Sequence, residues 1–154
     1  LRGPRSDGGW RLEAEACARH GLQLLDFTVR SRAAPDKQML FDTKALFDRI
    51  EWPALLHCKS GADRAGLMSA LYLLIQKNRP VVEASQQLSF RYLHVKRAKT
   101  GLLDAFLTAY APYEAEGMLF FEWVNDIYDP EKLQAEFLSS FWADRLVDQL
   151  LKRE

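Results

Sequence analysis

The chain has 154 residues, 48% of them hydrophobic, which suffices for one globular domain with a buried core; no Pro/Gly/Ser-rich or single-charge stretch suggests a linker. Twenty-one basic residues balance 21 acidic ones, so the basic surplus of a general nucleic-acid binder is excluded and any anion site must be local. Two cysteines, Cys17 and Cys58, exclude a disulfide framework; neither has a neighbour at metal-ligand spacing, so no metal is expected, and a reducing, cytoplasmic compartment fits best.

In chain order, "LRG" at residues 1–3 reads as the end of a strand that begins upstream, and "LRGPRSDGG" lacks the apolar stretch of a signal peptide. "WRLEAEACARHG", residues 10–21, spaces Trp10, Leu12, Ala16 and Cys17 as a helix stopped by Gly21. "LQLLDFTV", residues 22–29, is rich in aliphatic and β-branched residues and predicts a strand, and "RSRAAPDKQ" then predicts a loop. "MLFDTKALFDRI", residues 39–50, has helical spacing; after Pro53, "ALLHC" predicts a short buried parallel strand. "RAGLMSALYLLIQ", from Arg64, is apolar nearly all round, the pattern of a helix buried against a sheet.

Four further helical patterns run through residues 81–95, 101–116, 119–128 and 129–152, the last with Asp129 as cap and Pro130 at the first helical position. No run is long and apolar enough to span a membrane. The alternation in the first half predicts an α/β fold, a central, mainly parallel sheet flanked by helices, with a helical second half. The whole chain is expected to form a single domain, residues 114–154 being a helical extension without an assignable motif.

One stretch carries chemistry. In "LLHCKSGADRAG", residues 55–66, a predicted strand ends at Cys58 and a helix starts near Arg64, with five residues between them. Gly61 permits a sharp turn, so the backbone N–H groups of Lys59, Ser60, Gly61, Ala62, Asp63 and Arg64 can converge on one point at the positive end of the helix. An anion would be held there. In the same field Cys58 favours thiolate and becomes a nucleophile, while the Arg64 guanidinium can hold two phosphate oxygens. His57 is expected to hold the loop and tune the thiol; Lys59 adds positive potential, and Asp63 is expected to brace backbone N–H groups or Arg64. Cys17 reads as helix packing.

His57, Cys58, Gly61 and Arg64 match the H-C-x-x-G-x-x-R signature of the cysteine-dependent protein tyrosine phosphatase superfamily, and the chain most resembles its small bacterial dual-specificity type. The resemblance covers the order of elements from about Leu1 to Tyr113. It implies a phosphomonoester hydrolase that works through a phosphocysteine, without metal or cofactor, on a phosphorylated protein, and an aspartate some way before the cysteine that protonates the leaving oxygen. Asp36 is taken as that acid because it follows Pro35 in a loop, whereas Asp26 falls in a predicted strand and Asp42 in a helix. Many relatives have serine or threonine where this chain has Ala65, so phosphoenzyme hydrolysis is expected to be slow unless Ser60 substitutes.

Substrate choice stays open at this level. Arg30, Arg32 and Lys37, and the run "RYLHVKRAK" with Arg91, His94, Lys96, Arg97 and Lys99, would favour a polyanion if they border the pocket. An anionic phospholipid or inositol phosphate is therefore an alternative substrate, and a low-turnover phosphate-binding pseudophosphatase a further alternative. "MLFFEWVNDIY" could touch a membrane peripherally, but Phe120, Phe121 and Trp123 are expected in the core.

Overall fold

A computed structural model describes residues 1–151, with side chains described up to residue 143. Helix α1 (Gly8–Arg19) begins where the Asp7 carboxylate accepts from the Trp10 N–H at 2.9 Å, and Gly21 follows its end with φ +64°. Helix α2 (Lys37–Arg49) begins at Asp36, whose carboxylate accepts from the Met39 N–H at 2.8 Å. It therefore starts two residues before the apolar pattern does. Helix α3 (Asp63–Ile75) buries Ala65, Leu67, Met68, Ala70, Leu71 and Leu74.

The second half is helical, as the patterns require: α4 (Val81–Ala84), α5 (Leu102–Ala115), α6 (Phe120–Asp126) and α7 (Pro130–Leu151). The Asp129 carboxylate accepts from the Glu131 and Lys132 N–H groups at 3.0 and 2.9 Å, the expected cap of α7. The last residue of that pattern, Lys152, lies outside the described residues. Residues 81–95 do not form one helix. After α4 the chain makes two short 3₁₀ turns, 85–87 and 90–92, and Leu93 adopts a left-handed conformation with φ 62°. The amide of His94 turns back to the Ser89 carbonyl at 3.1 Å, which redirects the chain out of helical register.

The predicted central sheet is absent among the described residues, and the fold is helical rather than α/β. The β-pairing found there is one isolated antiparallel bridge between Arg2 and Thr28. Neither 22–29 nor 54–58 is a strand. The physical reason is their placement. The two runs line one cleft of about 450 Å³, whose wall includes Leu24, Leu25, Leu55 and Leu56, and no ladder joins them among the described residues. Leu55 is 86% exposed and Leu22 63%, and although Val29 is buried, much of these apolar runs faces outward rather than into a sheet core. The opening residues touch both segments through single bonds: the Leu1 amine donates to the His57 carbonyl at 2.9 Å and the Gly3 amide to the Phe27 carbonyl at 3.1 Å.

Without a sheet, the apolar surface of α3 is covered by α2, α4 and the 85–87 turn. Gly66 makes the last contact close: a Cβ there would lie 2.8 Å from the Gln87 carbonyl oxygen. A second part of the core forms where α5 and α6 meet. Phe106, Tyr110, Phe120, Trp123 and Tyr128 pack there ring on ring, and Phe121 stacks on Phe41 at 5.3 Å, so the aromatic stretch of 118–128 is mainly core. No helix among the described residues is long and apolar enough to cross a membrane.

Candidate active site

Residues 54–58 lead into the loop without regular secondary structure, Gly61 turns it with φ +74°, and α3 begins at Asp63. A residue with a Cβ would be strained at that φ, so the turn explains the glycine. The residue before α3, Ala62, offers no side-chain cap. The first N–H groups of the helix are thus left to whatever sits at its positive end. That group is the sulfur of Cys58.

Burial of the Cys58 thiol acts to raise its pKa, but hydrogen bonds from the backbone N–H groups of Ala65, Ser60 and Gly61 outweigh it, aided by the charge of Arg64. The net result lies below the ordinary thiol value. The loop read from sequence as an anion cradle therefore closes around the sulfur itself. Arg64 is half-buried beside it and donates from Nη1 to the Leu1 carbonyl at 3.4 Å.

His57 lies at the entrance to the loop. Its Nε2 lies 2.6 Å from Oε1 of Glu13, which ties the loop to α1. Lys59 and Ser60 are exposed. Cys17 is a free, half-buried thiol on α1.

Asp63 has a partner that the sequence did not reveal. Its Oδ1 lies 2.8 Å from Nδ1 of His94, and Nε2 of His94 lies 2.5 Å from Oδ2 of Asp104, on α5, so the buried ring is hydrogen-bonded on both sides. His94 is 1% exposed, and Nζ of Lys96 lies 3.2 Å from the far oxygen of Asp104. The cluster pins the start of α3, one residue before Arg64, to α5. Sequence spacing carries no trace of it: His94 falls in a basic run, 31 residues from one partner and 10 from the other.

The two aspartates weighed as proton donor lie in different surroundings. Asp36 caps α2 and, with Asp129, adds to the burial that pushes the Tyr128 hydroxyl far up; Tyr128 donates to the Pro35 carbonyl at 2.7 Å. Among the described residues the Asp36 carboxylate bonds to the start of α2, not to residues 57–64. Asp26 accepts from the Trp10 indole N–H at 3.1 Å and lines a small cavity with His57 and Glu13. Asp26 thus lies near His57, the residue before Cys58. Asp42 is exposed on α2, where its carboxylate accepts from the Gln38 amide at 2.8 Å.

Among the described residues no group of three or more His, Cys, Asp or Glu side chains is placed to hold a metal ion. Compared with protein-family models, curated proteins and solved structures, the chain gives no match.

Proposed function

We propose that the protein is a phosphomonoester hydrolase that works through a phosphocysteine at Cys58. One observation carries this reading: the Cys58 sulfur sits in a ring of backbone N–H groups at the start of α3, with its pKa lowered and Arg64 alongside. Such a loop holds a tetrahedral oxyanion by the same N–H groups, so it favours both the thiolate and the phosphoryl group it attacks. The reading rests on the site and its signature residues rather than on the fold.

In the first step the Cys58 thiolate attacks phosphorus; the S–P bond forms as the bond to the leaving oxygen breaks, and a carboxylic acid gives that oxygen its proton. Water then attacks the phosphocysteine, the S–P bond breaks, and inorganic phosphate and thiolate result. Arg64 follows the phosphoryl oxygens through both steps with two parallel hydrogen bonds. Asp36 is the acid expected from sequence. Asp26 is the better placed of the two, because it lines a small cavity with His57, the residue before Cys58, whereas Asp36 caps α2. Phosphotyrosine-type protein esters are the first substrates to test; the alternative, a phospholipid or inositol phosphate, is favoured by the cations of residues 91–97.

The test is turnover of an aryl phosphate in the presence of a chelator. The intact chain should hydrolyse it, Cys58→Ser should abolish turnover while still binding vanadate, and Arg64→Lys should lose most of it, since an ammonium cannot reproduce the guanidinium fork. Activity that survives Cys58→Ser, or that requires added divalent metal, overturns the reading.

A further inference from the structure

Between Glu83 and Asp104 the chain has no acidic residue, yet it carries Arg91, Lys96, Arg97 and Lys99. Four cations in so short a span stand out in a protein of zero formal net charge. The same span turns its apolar side chains outward: Phe90 is 79% exposed, Leu93 69%, and Val95 and Tyr92 are also exposed. Phe90, Tyr92 and Val95 border a cavity of about 680 Å³ together with Arg91, Lys96 and Arg97.

This outward display is built, not frayed. His94, in the middle of the span, is buried and clamped by Asp63 and Asp104, which fixes its neighbours facing away from the core. Leu93 is held in the left-handed conformation, and a Cβ on Gly101 would collide with the Lys96 carbonyl, so the chain passes tightly over the start of α5. Leucine in that conformation carries backbone strain, and it is spent on pointing an apolar side chain into solvent.

We propose that residues 90–97 form a docking surface for an anionic lipid bilayer. Aromatic and aliphatic side chains flanked by cations suit the boundary between acyl chains and negative headgroups, where the apolar groups enter and the cations stay with phosphate. The charge argument selects this occupant over a neutral apolar partner, which would offer no counter-charge to Arg91 and Arg97; Lys96 already has Asp104 beside it. The His94 clamp runs from this surface to Asp63, beside Arg64, so a docked bilayer lies on the side of the molecule that also carries the start of α3.

The proposal stands apart from catalysis and is tested by co-sedimentation of the intact chain with vesicles. The wild type should pellet with phosphatidylcholine vesicles containing phosphatidylserine, less so as salt is raised, and not with phosphatidylcholine alone. Arg91→Gln with Arg97→Gln should weaken the partition about thirtyfold, since each cation near the surface contributes roughly fivefold. Phe90→Ser with Leu93→Gly, which leaves charge unchanged and suits the backbone at residue 93, should weaken it at least about tenfold by removing buried apolar area. Arg11→Gln with Arg49→Gln removes the same charge from exposed sites elsewhere and should bind like the wild type, with circular dichroism confirming that all variants are folded.

Equal pelleting with both vesicle types, or equal losses in the control pair, overturns the proposal. So does a wild type that ignores vesicles but binds an immobilised phosphotyrosine peptide in a manner sensitive to Arg91 and Arg97, which would make the surface one for an acidic protein partner.

Discussion

His94 lies 2.8 Å from Asp63 through Nδ1 and is 1% exposed, so the first residue of α3 is held by a buried ring from a segment 31 positions away. Removing the ring leaves two carboxylates without their shared hydrogen-bond partner. His94→Ala should therefore destabilise the protein by about 2–3 kcal/mol, below the ~3–5 of a fully enclosed pair because Asp63 keeps about a quarter of its side chain in water. Denaturant unfolding measures this. Aryl phosphate turnover should also fall, about tenfold, because Arg64 follows Asp63 directly; His94→Asn, which can still donate to one carboxylate, should recover part of both.

The Cys58 thiol lies below its ordinary value, so alkylation by iodoacetamide should fall off with decreasing pH at a midpoint below the ~8.5 of a free thiol. Peptide mass spectrometry reads the rate at Cys58 separately from Cys17. Arg64→Ala should move the midpoint up, since the charge that favours thiolate is gone. The linkage to stability has a definite sign. Between the folded and unfolded values the unfolded chain binds one more proton, so the contribution grows with pH there, is complete above the unfolded value, and is lost as pH falls through the folded one. Cys58→Ser should flatten that part of the stability profile, and an unchanged profile would show that the N–H ring does not favour the thiolate.

Gly66→Ala sets two effects against each other. Alanine in a helix interior gains up to ~1 kcal/mol over glycine, but its Cβ would lie 2.8 Å from the Gln87 backbone oxygen, and forcing such a contact costs about 1–3 kcal/mol. The clash should win, for a net loss of up to about 2 kcal/mol. Gly8→Ala is the counterpart: a Cβ there meets nothing within 4 Å, so the melting temperature should stay or rise slightly.

The helices were legible because a repeat of three to four residues is a local property. Trp10 to Cys17, Leu40 to Ile50 and the apolar run after Arg64 each located a helix to within a few residues, and Asp129 with Pro130 marked a start. A sheet is not local. "LQLLDFTV" and "ALLHC" were read as strands and are not: a run of suitable residues becomes a strand only when a neighbour supplies its N–H and C=O groups, and here the two runs line one cleft without pairing. The same distinction divides the candidate site. Cys58, Gly61 and Arg64 lie within seven residues and were readable from their spacing, whereas the pairings of Asp63 with His94 and of His57 with Glu13 depend on how distant segments are brought together.

The proton donor is settled by comparing substrates that need a proton to different degrees. A phenolic or alkyl phosphate has a basic leaving oxygen, so loss of a positioned acid should cost about 10²- to 10⁴-fold in rate, whereas an activated nitrophenyl ester leaves almost unaided. Asp26→Asn should therefore damage phosphotyrosine turnover far more than nitrophenyl phosphate turnover. Asp36→Asn should leave the ratio of the two rates unchanged, and since asparagine caps a helix about as well as aspartate, α2 should keep its start at Met39 and stability should change little. If the selective loss appears in Asp36→Asn instead, the acid belongs to the segment before α2, and Asp26 serves only to receive the Trp10 indole. If neither variant shows it, no aspartate of the pair donates the proton and the leaving oxygen takes it from water.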